Sequence, residues 1–107
     1  MELKQYDIIL VNLEPTIGSK IRKTRPCLII SPNEMNKYLN TVVIAPLTTS
    51  TKDYPTRVEI IHNSIISRII IDQIRTIDKK RIIKNVGRLS NIDIIRVKEI
   101  IKETFVE

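Results

Sequence analysis

Arg25 is the first residue in this chain whose type and setting suggest chemistry. It precedes Pro26, and the apolar run 26–30 is rich in branched side chains and bounded by proline, which is typical of a core strand. Pro26 fixes its own φ and disfavours the helical region for Arg25, which restricts where the guanidinium can point. A cation held at the mouth of a strand suits charge stabilisation. A solvated arginine in an ordinary turn is the alternative that this motif alone leaves open.

Two further polar groups stand at the ends of predicted strands. Residues 48–51 are four hydroxyl side chains in a row after Pro46 and Leu47, and such a run often caps its own backbone. The pair Asp72 and Gln73 ends a second apolar run. Either group could line a site, but neither identifies one without further context.

The remaining reactive residue types are scarce. Cys27 is the only cysteine and lies inside an apolar run, so we expect a buried thiol, no disulfide framework and no metal cluster. His62 is the only histidine, and a pair of imidazoles for acid and base catalysis is therefore excluded. We expect neither a metal nor another cofactor.

Length and charge limit the classes of protein that fit. The chain has 107 residues and a formal net charge of +6, which predicts one domain (1–107) with an affinity for polyanions. Nucleic acid, an anionic membrane surface and an acidic protein segment all remain candidates. No run approaches the roughly 18 apolar residues of a membrane span, and the N-terminus lacks a signal-peptide pattern. We expect a cytoplasmic protein that does not enter the membrane.

The apolar pattern predicts a mostly β protein with a C-terminal helix. Strands are predicted at residues 6–13, 26–30, 41–47, 54–61, 67–78 (two strands or one bent strand) and 82–89, with a short helix ending at 38. Between the first two strands lies a loop of about 11 residues, a length that is usually functional or disordered. Residues 90–93 open the last helix, whose predicted apolar stripe is Ile94, Ile95, Val97, Ile100, Ile101, Thr104 and Phe105. The expected architecture is a compact antiparallel barrel with one helix packed on it.

Four ordered motifs resemble the MazF/PemK family of toxin endoribonucleases. They are DIILVNLEPTIGS at 7–19, TRPCLIISP at 24–32, APLTT at 45–49 and DQIRTID at 72–78. The resemblance covers essentially the whole chain and implies a small SH3-like or CcdB-like antiparallel barrel. It also implies a homodimer that cuts single-stranded RNA at a short preferred sequence without a metal ion. The products would carry a 2′,3′-cyclic phosphate and a 5′-hydroxyl, and an acidic, MazE-like antitoxin would inhibit by covering the RNA site.

The resemblance also implies roles for particular residues. The family's catalytic arginine falls on Arg25 and its catalytic threonine on Thr48. Matches to positions that line or support the RNA site are Ser19, Thr49, Asp72, Gln73 and Arg75. Asp72 is the nearest candidate for accepting the 2′-proton, although a site with no dedicated base is also consistent with the motifs.

The basic stretch before the second strand adds an electrostatic term. Lys20, Arg22 and Lys23 would attract the RNA backbone without regard to sequence, while Ile17 and Ile21 are candidates for base contacts. Lys20 stands where many family members carry an acid. The PemK/Kid branch matches less closely, because Ser19 and Ile70 replace its histidine and arginine.

Two other functions remain open at the level of sequence. A CcdB-like toxin that poisons DNA gyrase has the same architecture, but its action needs an apolar and aromatic C-terminal tip, whereas this chain ends KETFVE. A non-catalytic basic barrel that only binds RNA or protein is the other alternative, and Lys20 is its best support.

Overall fold

Seven strands form one curled antiparallel sheet in the part of the chain that the computed structural model describes, residues 2–13 and 23–106. The strands are β1 (Asp7–Asn12), β2 (Thr24–Ile29), β3 (Thr41–Thr48), β4 (Arg57–His62), β5 (Ile65–Ile70), β6 (Arg75–Asp78) and β7 (Ile82–Arg88). The helices are α1 (Asn33–Tyr38) and α2 (Asn91–Ile101), which continues as a π-helical turn, Lys102–Val106. Short 3-10 segments span Ile71–Gln73 and Lys79–Arg81. The predicted mostly β fold with a C-terminal helix is confirmed.

The long strand β3 organises the sheet because it changes partners along its length. Its first half, from Thr41 to Ile44, pairs with β6. The stretch of β3 from Ile44 to Pro46 pairs with β2, and the last matched pair is Cys27 with Pro46. Beyond Pro46, the last two residues of β3 pair with β5. The sequence predicts that the strand leaves the sheet interior at Pro46. Instead it leaves the ladder with β2 there and joins another strand, since proline has no N–H to offer a ladder.

Side chains alternate between two cores across the sheet. Val42 and Ile44 of β3 face one core, whereas Ala45 and Leu47 face the other. We call the first the inner core; its buried members are Ile9, Val11, Cys27, Ile29, Val42, Ile44 and Ile77. The second, the helix-side core, includes Val97 of α2. Both faces of β1 are covered, since Ile8 lies in the helix-side core and Ile9 and Val11 lie in the inner core.

Helix α2 begins as predicted but presents a narrower apolar stripe. The N–H of Asp93 donates to the Ser90 side chain at 3.2 Å, which caps the first turn. Val97 is fully buried, but Ile95 is 57% exposed because two residues rotate a helix by about 200° and place it on the opposite side. Phe105 is also 57% exposed and lies in the π-helical turn, where the spacing of the stripe changes. No described helix has the length and apolarity needed to cross a membrane.

Three predicted boundaries are wrong by two or three residues. β2 begins at Thr24 because the pairing with β1 extends to the match of Asn12 with Thr24. β4 begins three residues later than predicted, at Arg57. β5 begins earlier, at Ile65, because only Asn63 and Ser64 form the turn, with φ values of 51° and 64° that suit a tight hairpin. The stretch 67–78 proves to be two strands joined by a 3-10 segment.

Candidate active site

Arg25 lies inside β2 rather than ahead of it. It pairs with Val11 of β1, and its alternation with Cys27 places its side chain on the face of the inner core. The residue is half-buried, and β2 gains β3 as a second partner only from Cys27 onward. The backbone of Arg25 is therefore paired with β1 on one side and has no β3 partner on the other.

Thr48 reaches the same end of the same face from the opposite strand. It is the last residue of β3, and alternation from Ile44 through Pro46 puts its side chain on the inner-core face. Cys27 and Pro46 are the last matched pair of β2 and β3, and Arg25 and Thr48 each lie two residues beyond it. The strand register thus brings the guanidinium and the hydroxyl to one edge of the sheet.

The Thr48 hydroxyl is held by its own loop. Its Oγ1 accepts the N–H of Ser50 at 3.1 Å, and the Ser50 hydroxyl in turn accepts the N–H of Lys52 at 3.4 Å. The predicted self-capping of the hydroxyl run is confirmed. A hydroxyl that accepts one bond still has its own O–H to donate, so Thr48 keeps a donor for a ligand.

Arg75 brings a second guanidinium to this face. It pairs with Ile44, an inner-core residue of β3, and lies two residues before the inner-core Ile77. Burial raises the pKa of the Cys27 thiol to about 12, while the positive charges of Arg25 and Arg75 act in the opposite direction. Both positive charges therefore act on the same buried thiol.

The Cys27 thiol predicts a pH dependence of stability. Below its ordinary pKa of 9.0 the thiol is protonated in both the folded and the unfolded chain, so its contribution to the free energy of unfolding is fully present. As the pH rises from there toward about 12, only the unfolded chain loses the proton, and the free energy of unfolding falls by up to about 1.4 kcal/mol per pH unit. Denaturant unfolding between pH 8 and 11 should show a smaller slope for Cys27→Ala than for the wild type. Equal slopes would contradict the buried, neutral thiol.

Asp72 and Gln73 lie in the 3-10 segment beside β3, between the parts of that strand that pair with β5 and β6. Both side chains are exposed. The Thr56 hydroxyl donates to Oδ1 of Asp72 at 2.7 Å, and the Thr56 carbonyl accepts the N–H of Ile71 at 3.1 Å. Thr56 was not predicted, because a contact across sixteen residues leaves no local pattern in the sequence.

Arg68 is the second residue that the sequence did not reveal. It pairs directly with Thr48 across β3 and β5, and its side chain is only 13% exposed. Its guanidinium donates to the Ser50 carbonyl at 3.1 Å and to Oε1 of Glu59 at 3.0 Å. A charged residue within an apolar run was the only available signal, and it did not indicate which strand would be its neighbour.

The other predicted residues are exposed or lie outside the described part. Lys23 and Thr49 are exposed, and the carbonyl of Lys23 accepts the N–H of Leu13 at 3.1 Å. The residues Ser19, Lys20 and Arg22, together with the base-contact candidates Ile17 and Ile21, lie outside the described residues. Within residues 2–13 and 23–106, no group of three or more His, Cys, Asp or Glu side chains could hold a metal ion.

Comparisons with known proteins show the family of this chain. The family described as "PemK-like, MazF-like toxin of type II toxin-antitoxin system" matches residues 4–105. A protein named Endoribonuclease MazF from Staphylococcus epidermidis is 36% identical over 101 residues, covering 89% of this chain and 84% of that protein.

Solved structures show the same fold at lower identity. A mycobacterial endoribonuclease in complex with its cognate antitoxin has a TM-score of 0.83 at 19% identity, with 97% of this chain and 95% of that one covered. A MazE-MazF structure from Deinococcus radiodurans has a TM-score of 0.82 at 19% identity, with 99% and 97% covered. The family predicted from the four motifs is confirmed, and the chain belongs to the PemK-like, MazF-like toxins of type II toxin-antitoxin systems.

Proposed function

We propose that this protein is an endoribonuclease toxin that cleaves single-stranded RNA through Arg25 and Thr48. The observation that carries the proposal is the placement of both residues, with Arg75, at one end of one sheet face. RNA supplies its own nucleophile, the ribose 2′-hydroxyl. A protein therefore needs to align that oxygen, stabilise charge on the phosphate and assist proton movement, and none of these tasks requires a metal.

Arg25 is suited to the charge that develops on phosphorus. A guanidinium stays protonated at any working pH, and its fork of N–H donors matches two phosphate oxygens. As the 2′-oxygen adds to phosphorus, the non-bridging oxygens gain negative charge, which Arg25 would stabilise. Arg75, on the same face, would hold a neighbouring part of the backbone.

Thr48 and Asp72 would complete the site. With one lone pair occupied by the Ser50 N–H, the Thr48 hydroxyl would donate to a non-bridging oxygen. Asp72, oriented by Thr56, is the candidate for accepting the 2′-proton as the bond between the 2′-oxygen and phosphorus forms. The bond to the 5′-oxygen then breaks, and this oxygen takes a proton from water, which leaves a 2′,3′-cyclic phosphate and a 5′-hydroxyl.

The partners follow from charge and from the family. Exposed cations such as Lys23 would attract the RNA backbone, with Gln73 and Thr49 at the same edge available for hydrogen bonds. A net charge of +6 also suits a cognate antitoxin whose acidic segment competes with RNA for this surface. We propose that the protein acts as a homodimer of single-domain chains in the cytoplasm.

A cleavage assay on a long RNA in EDTA tests the proposal directly. We expect discrete fragments whose 5′ ends carry a hydroxyl and whose 3′ ends carry a cyclic phosphate, and sequencing those ends would give the recognition sequence. A substrate with a 2′-deoxy nucleotide at the cleavage position should remain intact, because it lacks the nucleophile. Bound but uncut RNA at high protein concentration would overturn the proposal. Inhibited DNA supercoiling by gyrase in a parallel reaction would do the same.

A further inference from the structure

Arg68 occupies a position from which it can control the Thr48 hydroxyl without touching RNA. The two residues pair across β5 and β3, and Glu59 of β4 continues the row on the other side of Arg68. Residues matched across antiparallel strands point to the same face, so all three side chains share one surface. Arg68 is thus the charged residue that pairs directly with Thr48 across the sheet.

The guanidinium of Arg68 forms two hydrogen bonds with the protein and lies near one further carboxylate. One amino group donates to the Ser50 carbonyl, the other donates to Glu59, and Nε lies 3.8 Å from Oδ1 of Asp53. The side chain is only 13% exposed, so little of it is open to solvent. Within the described residues its buried Nε has no hydrogen-bond partner. Because so little of the side chain is open to solvent, Arg68 is poorly placed to bind a phosphate itself.

A short chain of hydrogen bonds links Arg68 to the reacting edge. Arg68 holds the Ser50 carbonyl at 3.1 Å, and the N–H of the same residue donates to Oγ1 of Thr48 at 3.1 Å. Ser50 lies in an exposed loop beyond the end of β3, where the backbone has no strand partner to fix it. An anchor on its carbonyl therefore limits the positions that its N–H can take.

We propose that Arg68 is a positioning residue that fixes the direction of the Thr48 hydroxyl through Ser50. When the Ser50 N–H occupies one lone pair of Oγ1, the hydroxyl hydrogen is directed away from the loop and toward the face that carries Arg25. Misplacing a catalytic group by about 1 Å can cost up to about 100-fold in rate, so loosening this anchor should slow the chemical step. The inference rests on the proposed cleavage activity.

Steady-state cleavage of a defined RNA tests the inference with Arg68→Gln. We expect kcat to fall about 10-fold while KM changes less than about twofold, since the substitution alters orientation and not RNA binding. In a Thr48→Val background the same substitution should change kcat less than about twofold, because the hydroxyl it positions is gone. Equal losses in both backgrounds would overturn the inference. A raised KM with a weaker salt dependence would also overturn it, because it would mean that Arg68 contacts RNA directly.

Two variants separate positioning from general damage to the fold. Arg96→Gln is the matched control, because Arg96 also donates to Glu59, at its carbonyl, and to an acid, Asp93, but does not contact Ser50. Its kcat should stay within about twofold of the wild type. Arg68→Lys keeps the charge beside Glu59 but loses the fork, and we expect about a threefold loss. It replaces Arg68→Gln if that variant does not fold.

Hydrogen exchange at the Ser50 amide gives a readout that does not depend on cleavage. In Arg68→Gln this amide should exchange faster than in the wild type, whereas Arg96→Gln should leave it unchanged. If the wild type fails to cut RNA, the proposed function fails, but the exchange rates still decide whether Arg68 holds this loop. Unchanged Ser50 exchange in Arg68→Gln would overturn the inference by itself.

Discussion

Replacing Arg25 by alanine is expected to lower kcat by about 10³-fold, the largest effect in the molecule. Losing one hydrogen-bond donor from a site of developing negative charge typically costs about 10² to 10³ in rate, and a guanidinium supplies more than one donor as well as the charge. A loss of 10³ corresponds to about 4 kcal/mol of transition-state stabilisation. Single-turnover cleavage of a defined RNA at saturating protein measures the chemical step directly.

The controls for Arg25 separate the charge from the geometry of the fork. Arg25→Lys keeps the cation but cannot bridge two phosphate oxygens, so we expect an intermediate loss of about 10 to 100-fold. Arg96→Ala removes the same charge from α2 and should leave the rate unchanged. Binding to a 2′-deoxy substrate and the thermal midpoint should change little in all three variants. Cleavage by Arg25→Ala at the wild-type rate would rule out this residue as the centre of the reaction.

Thr48→Val should lower the rate by about 10²-fold, because valine keeps the shape and β-branching of threonine and removes only the hydroxyl. Thr48→Ser should retain most of the activity, since it can still donate to a phosphate oxygen. Thr51→Val, from the same hydroxyl run but three residues away from the strand end, is the matched control and should cut normally. Single-turnover rates of the three variants make the comparison, and a fully active Thr48→Val would show that the hydroxyl takes no part.

The sequence predicts elements better than it predicts contacts between them. Each of the seven strands left a local apolar pattern, and proline marked where β3 changes partner, so the mostly β architecture could be predicted. Arg25 was proposed from its place beside Pro26, whereas Thr48 was proposed only through the resemblance to the family. The order of the strands, by contrast, depends on pairing between distant segments, and no local pattern encodes that Thr48 faces Arg68.

The same reason explains the errors within elements. The sequence of the last helix predicts an apolar stripe that includes Ile95, but only packing decides which part of the stripe meets the sheet, and Val97 became its centre. Thr56 and Arg68 support the candidate site through contacts with residues 16 and 18 positions away in the chain. Polar residues of this kind look like ordinary surface residues until the partner strand is known.

Because β3 changes partner at Pro46, the two proposed catalytic groups belong to different pairs of strands. Arg25 is carried by the strands that surround the inner core, whereas Thr48 belongs to the ladder of the β4–β5 hairpin. The gap between guanidinium and hydroxyl is therefore set by the torsion of one short segment, and the ring of Pro46 stiffens it at a single dihedral. A molecule that moved the hairpin away from the barrel would separate the two groups and inactivate the toxin, while leaving both groups chemically intact.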